Sequence, residues 1–146
     1  MAVAILALAG ATTALAQEPA AQEPAKPVLT LNADAAIITL LIKPDKVADW
    51  ESVLEKLKEA LAKSEKPERR QQAAGWKIFK STQMAQGNAV YIMRIDPIIK
   101  GEEYDITRLI AEVFPVEVQE VFAKYRDAFA GRAITELTKF MDMSQQ

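Results

Sequence analysis

Apolar residues recur along this chain with strand spacing and then helix spacing, in an order that leaves few folds open. Val28 to Lys43, VLTLNADAAIITLLIK, has a β-rich core at Ile37 to Ile42 where apolar side chains occupy both parities. Such a strand is expected to be covered on both faces, and Pro44 ends it. From Asp45 the period changes. Val47, Trp50, Val53, Leu54, Leu57 and Leu61 recur every three or four residues, as one helical stripe requires, with Lys, Glu and Asp opposite. Trp50 lies on that stripe and is assigned to the core. Pro67 restarts helix through ERRQQAA, whose charges are expected on a solvated face, and Gly75 is assigned the left-handed position past its end.

Two strand-like runs follow, WKIFKS from Trp76 to Ser81 and AVYIMRID from Ala89 to Asp96. The Gly87-Asn88 pair between them supplies the turn signal of a hairpin. Asp96-Pro97 closes the second run, because proline cannot donate to a ladder. Ile106, Leu109, Ile110 and Val113 then form one helical stripe, and Val118, Val121, Phe122, Tyr125 and Phe129 another. Pro115 suits the first turn of the second helix and Gly131 its end. The tail RAITELTKFMDM is ambiguous, since Ala133, Leu137 and Met141 could serve a helix while its Thr and Ile content favours a strand. A last strand over 132–143 completes the order βαββαβ. That order predicts an α+β, ferredoxin-like split unit: a four-stranded antiparallel sheet with helices on one face.

The ends and the charge bound the rest. Residues 1–16 carry no charged side chain and finish on the small-x-small step Ala14-Leu15-Ala16, which is how a secretory signal peptide ends. The usual Lys or Arg before the apolar run is missing. A membrane anchor is the alternative, but this run, interrupted by Gly10, falls short of the roughly 20 residues a spanning helix needs. Cleavage is therefore expected, with periplasmic or secreted localisation and no stable membrane span afterwards. Residues 17–27, QEPAAQEPAKP, hold three prolines and no large apolar side chain, so they are expected to form a flexible tether. One α+β domain is expected over 28–146. With no cysteine, neither disulfides nor a lipidated cysteine can support it, and stability must come from the core. The formal charge of −2 gives little attraction to phosphate backbones, so nucleic acid is not an expected partner.

Several chemistries are closed. No histidine occurs, which removes histidine-ligated haem, histidine-bearing zinc sites and both Ser-His-Asp and Cys-His catalysis. With five glycines and neither GxGxxG nor GxxxxGK[ST], no phosphate-cradling loop is visible. No cofactor and no metal is expected. The charged stretch KGEEYDITR, Lys100 to Arg108, has carboxylates at Glu102, Glu103 and Asp105. They suit caps and the helix dipole, and a cation site is the alternative reading.

The order and lengths of AAIITLLIKP, the Trp50 helix, GWKIFKS, YIMRIDP and FPVEVQEVFAKY resemble the dimeric α+β barrel superfamily, typified by antibiotic-biosynthesis-monooxygenase-like proteins. The resemblance covers residues 35–141 and is one of fold. It implies two sheets packed face to face in a homodimer. Haem-degrading members bind iron through histidine, so that activity is not carried over. Cofactor-independent oxygenation or isomerisation of a small aromatic or carbonyl compound remains compatible, with Tyr91, Tyr104 and Tyr125 as possible proton donors.

Two helices cover one face of a four-stranded sheet and leave the other open. An apolar set there, drawn from Ile37, Leu41, Ile78, Val90 and Ile92, would exceed the few hundred Å² a monomer normally shows, so a second copy is expected to cover it. On the strand 89–96, Val90, Ile92, Arg94 and Asp96 share this open face, and Tyr91, Met93 and Ile95 share the helix side. Arg94 then projects into or beside the space between two sheets, with Lys80 and Trp76 joining it from the neighbouring strand. A guanidinium so placed needs a carboxylate or an anionic ligand. One reading pairs it with Asp96, Asp105, Glu102 or Glu112. The other makes Arg94, Trp76, Lys80 and Tyr91 candidate binders of a small acidic or aromatic molecule, with Trp76 or Tyr91 as an aromatic wall. The expected function is an exported small-molecule-binding or structural module acting as a homodimer.

Overall fold

The structure, a computed structural model, describes residues 26–145. The expected signal peptide over 1–16 and the expected tether as far as residue 25 lie outside the described residues. Four strands, β1 (Ala35–Ile42), β2 (Trp76–Lys80), β3 (Ala89–Ile95) and β4 (Phe129–Leu137), form one sheet in the order β2-β3-β1-β4 with all pairings antiparallel. After β1, a 3-10 turn at Pro44–Lys46 leads into α1 (Val47–Lys63) and then α2 (Pro67–Gly75); between β3 and β4 run α3 (Ile106–Val113) and α4 (Val118–Ala128). This is the ferredoxin-like α+β fold, with two helices in each connection, as the restart at Pro67 and the two later stripes led one to expect.

The core forms where the strand and helix periods meet. Ala36, Ile38, Leu40 and Ile42 of β1 point to one face, and beneath the helices they join Trp50, Val53, Leu57, Leu109 and Ile110. Trp50 is 0% exposed, and its ring meets Tyr91, Tyr125 and Phe129 with centroids 6.2, 6.1 and 5.4 Å away. Each fully buried Leu or Ile stabilises by roughly 1.5–3 kcal/mol, whereas an exposed ion pair contributes about 0–1 kcal/mol. Apolar burial therefore holds helices to sheet. The β3 parity is as read from sequence: Tyr91, Met93 and Ile95 are buried on the helix side and Arg94 is exposed on the other.

The hairpin turn has Gln86 and Gly87 at its centre, with φ of +53° and +76°, and Ala85 and Asn88 exchange backbone hydrogen bonds at 3.0 and 2.9 Å. It is a primed two-residue turn, whose twist suits the flanking strands. At the other end of β2, Gly75 is the last residue of α2 rather than a left-handed residue beyond it. A Cβ there would lie 2.9 Å from the Pro97 carbonyl oxygen and 3.2 Å from that of Asp96, so glycine is required for close backbone approach. Gly131 does not end a helix either. It lies within β4 opposite Leu41, where β4 has started three residues before the expected 132 and stops at Leu137.

The stretch PERRQQ is solvated only in part: Pro67, Arg70 and Gln71 are exposed, while Arg69 and Gln72 are buried. Arg69, 3% exposed, donates to both oxygens of Glu112 (Nε–Oε2 3.0 Å, NH2–Oε1 2.7 Å), to Glu102 at 2.7 Å and to Gln72 at 2.7 Å. Buried Gln72 in turn donates to the Glu103 carbonyl at 2.7 Å. The Glu103 carboxylate accepts from the backbone N–H groups of Val28, Leu29 and Asp105 at 2.7, 2.9 and 2.8 Å, which ties the start of the domain to the loop before α3. Asp105 caps α3 by accepting from the Arg108 N–H at 3.0 Å, as its position suggested.

Candidate functional site

Beta-strand phase decides which candidate residues can meet. Pairing of Trp76 with Ile95, Ile78 with Met93 and Lys80 with Tyr91 puts Trp76, Ile78 and Lys80 on the helix side of β2. Lys77 and Phe79 occupy the open face beside Arg94 and Ile92. This corrects the expectation that Trp76 and Lys80 join Arg94, and that Ile78 belongs to the open apolar set; Phe79, 52% exposed, takes that place. Arg94 stands apart, half-exposed, with its NH2 donating to Asp96 Oδ2 at 2.9 Å. The pairing with Asp96 is the one observed, while Glu102 and Glu112 are engaged by Arg69.

The other three candidates do come together. Trp76, Ile78 and Lys80 of β2, Tyr91 of β3 and Ala73 of α2 face the flank of α1 across a cleft of about 400 Å³, with Leu54, Leu57 and Leu61 on the α1 side. The cleft exists because β2 is an edge strand and α1 is committed to the centre of the sheet. Trp50, Val53, Leu57 and Ala60 turn inward, so the adjacent flank of Glu51, Leu54, Glu55 and Lys58 meets β2 without closing on it. Trp76 is 9% exposed and its ring meets that of Tyr104, tilted, with centroids 5.5 Å apart; its indole N–H is buried without a partner among the described residues. Such an unmet donor costs about 1–3 kcal/mol, so ring packing rather than hydrogen bonding holds this wall.

At one end sits a polar cluster. Glu51 Oε1 accepts from Lys80 Nζ at 2.7 Å and from the Tyr91 hydroxyl at 2.6 Å, and the ammonium lies 5.6 Å from the centre of the Tyr91 ring. The hydrogen bonds from Lys80 and then Tyr91 hold the Glu51 carboxyl below the usual carboxylate range. Its bond to Glu51 pushes the Lys80 ammonium up. Burial first, and then the bond to Glu51, push the Tyr91 phenol up. At neutral pH Glu51 is therefore anionic, Lys80 cationic and Tyr91 protonated. The arrangement can hold and orient a molecule, but it offers neither an activated phenolate nor a basic carboxylate.

Sequence reasoning placed Leu54 on the apolar stripe of α1 and did not single out Glu51 or Lys58. A signal was present: Glu51, Leu54, Glu55 and Lys58 recur at helical spacing along one flank of α1, where Leu54 extends the apolar stripe and the charges border it. Among the described residues no cluster of three carboxylates is placed to hold a metal ion, and no helix is long and apolar enough to cross a membrane.

No protein-family profile and no curated protein matches the sequence. Among solved structures, the chain is similar to a dimeric ferredoxin-like protein of unknown function from Thermobifida fusca, at 14% identity and a TM-score of 0.35, over 80% of this chain and 100% of that one.

Proposed function

We propose that this chain is an exported small-molecule-binding module that works as a homodimer, its ligand held in the cleft between α1 and β2. The observation that carries this reading is the cleft itself: about 400 Å³, with Leu54, Leu57, Leu61, Trp76 and Ile78 as apolar walls and Glu51, Lys80 and Tyr91 converging at one end. Small-molecule sites commonly occupy roughly 300–1,000 Å³ and combine apolar walls with a few placed polar groups. Arg94, in this reading, belongs to the face between the two copies and not to the ligand. Export rests on the apolar opening segment that ends Ala14-Leu15-Ala16. Turnover by a cofactor-independent oxygenase or isomerase is disfavoured, because Tyr91 keeps its proton and the Glu51 carboxylate is doubly hydrogen-bonded.

Nile red, a neutral apolar dye, tests the reading. Its emission should rise on binding the wild-type protein, and Ala73→Trp, which fills the cleft from an exposed position, should weaken that binding at least about tenfold. Undiminished dye binding to the folded variant, or none to the wild type, would overturn it.

A further inference from the structure

We infer that the cleft selects a neutral amphiphile: an apolar body ending in one group that carries a hydrogen-bond donor and an acceptor on the same carbon, as a primary amide or a urea does. This rests on the reading of the cleft as a binding site. Charge at its mouth is balanced, with Glu51 and Glu55 against Lys58 and Lys80. The two charges nearest the apolar walls neutralise each other, Lys80 Nζ lying 2.7 Å from Glu51 Oε1. A ligand carboxylate could accept from a spare Lys80 N–H only by setting a second negative charge beside Glu51, and a ligand ammonium could donate to Oε2 only by setting a second positive charge beside Lys80. Either ion leaves a net charge against the apolar walls, which a neutral end group does not.

Spare hydrogen-bonding capacity points to the same class. Both bonds to Glu51 arrive on Oε1, so Oε2 is a free acceptor among the described residues. The Lys80 ammonium has three N–H groups and places one of them on Glu51, leaving donors beside that acceptor. The Tyr91 hydroxyl donates its proton to Glu51 and keeps an acceptor lone pair. A group that donates to Oε2 and accepts from Nζ therefore completes both partners without breaking the existing pair. Its apolar remainder lies against Leu54, Leu57, Leu61, Ile78 and the Trp76 ring.

Octanamide, octanoate and octylammonium share one chain length and differ at the end group, so displacement of Nile red at pH 7 compares them directly. Octanamide should displace the dye at about tenfold lower concentration than either ion. Glu51→Gln should turn the preference toward octanoate, and Lys80→Met toward octylammonium, because each leaves one charge uncompensated. If wild-type protein takes octanoate or octylammonium as well as octanamide, or if neither variant changes the order, the ligand class is wrong while the cleft stands. If none of the three displaces a dye that Ala73→Trp excludes, the class is again overturned. Failure of the dye itself to bind would overturn the cleft.

Discussion

Arg69 shows how much one charged side chain can hold in this domain. Its guanidinium is buried between a bidentate Glu112 and Glu102, so Arg69→Met would leave Glu102 without its arginine and Glu112 with Lys66 alone. Removing one member of a fully buried pair costs roughly 3–5 kcal/mol; with Glu102 and Glu112 30% and 26% exposed, urea unfolding at pH 7 should show a smaller loss, about 1–3 kcal/mol. Burial pushes the Glu112 carboxyl up, but its bonds to Arg69 and Lys66 outweigh this and hold it below the usual carboxylate value. A lowered folded-state pKa gives stability that is present above the unfolded value and lost as pH falls through the folded one. The stability gap between wild type and Glu112→Gln should accordingly be widest near neutrality and narrow as the pH falls below about 4.3. The tyrosines run the other way. Burial is the main force pushing all three phenols, Tyr91, Tyr104 and Tyr125, above the usual phenol value of about 10. Their contribution is complete below the unfolded value and lost as pH rises through the folded ones. Phenolate absorbance of the folded protein should therefore stay low at pH 10 and appear above it; half-titration at pH 10 in a still-folded protein would refute the placement of these rings.

Between elements, the joint from α2 to β2 carries more consequence than its length indicates. Gly75 ends α2, accepts from the Asp96 N–H at 2.9 Å, and lets the chain pass against Asp96 and Pro97 at the end of β3. That contact sets the phase in which Trp76 enters the sheet. Gly75→Ala puts a methyl group 2.9 Å from a carbonyl oxygen, and the forced shift should destabilise by about 1–3 kcal/mol in urea unfolding. Because the shift falls on the residue before Trp76, Nile red affinity should fall as well. Gly87 in the hairpin turn has nothing within 4 Å of an added Cβ. Its positive φ makes Gly87→Ala cost only about 1–2 kcal/mol of local strain, without an effect on the cleft.

At the scale of the molecule, the helices cover one face of the sheet, and among the described residues nothing covers the other. Ile37, Leu41, Val90 and Ile92 are half-buried there, and Phe79 and Leu137 are 52% and 41% exposed. A second copy seated on this face would bury the apolar strip, and about 800 Å² per partner is usual for a stable interface. Light scattering after size exclusion should give the mass of two chains. Phe79→Lys with Ile92→Lys should give one, and should remove the dependence of Tm on protein concentration that a dimer shows. A wild-type monomer at micromolar concentration would overturn the homodimer.

What the sequence determined by itself was the order of the elements and the parity of every strand whose two faces differ in polarity. In β3 one parity reads Tyr91, Met93, Ile95 and the other includes Arg94, so the core side is unambiguous, and the Trp50 stripe is equally one-sided. Tertiary structure alone decided β2 and Arg69. In WKIFKS each parity carries an aromatic or aliphatic residue and a lysine, so pattern cannot choose a face. The choice came from the pairing with β3, pinned by the Gln86-Gly87 turn and the Gly75 contact. Arg69 reads as solvated until Glu102 and Glu112, 33 and 43 residues onward, are folded against it. Local periodicity reports only how a side chain's own element is turned. Whether a charge is buried, and which candidates share a cleft, depends on partners that only the folded chain brings near.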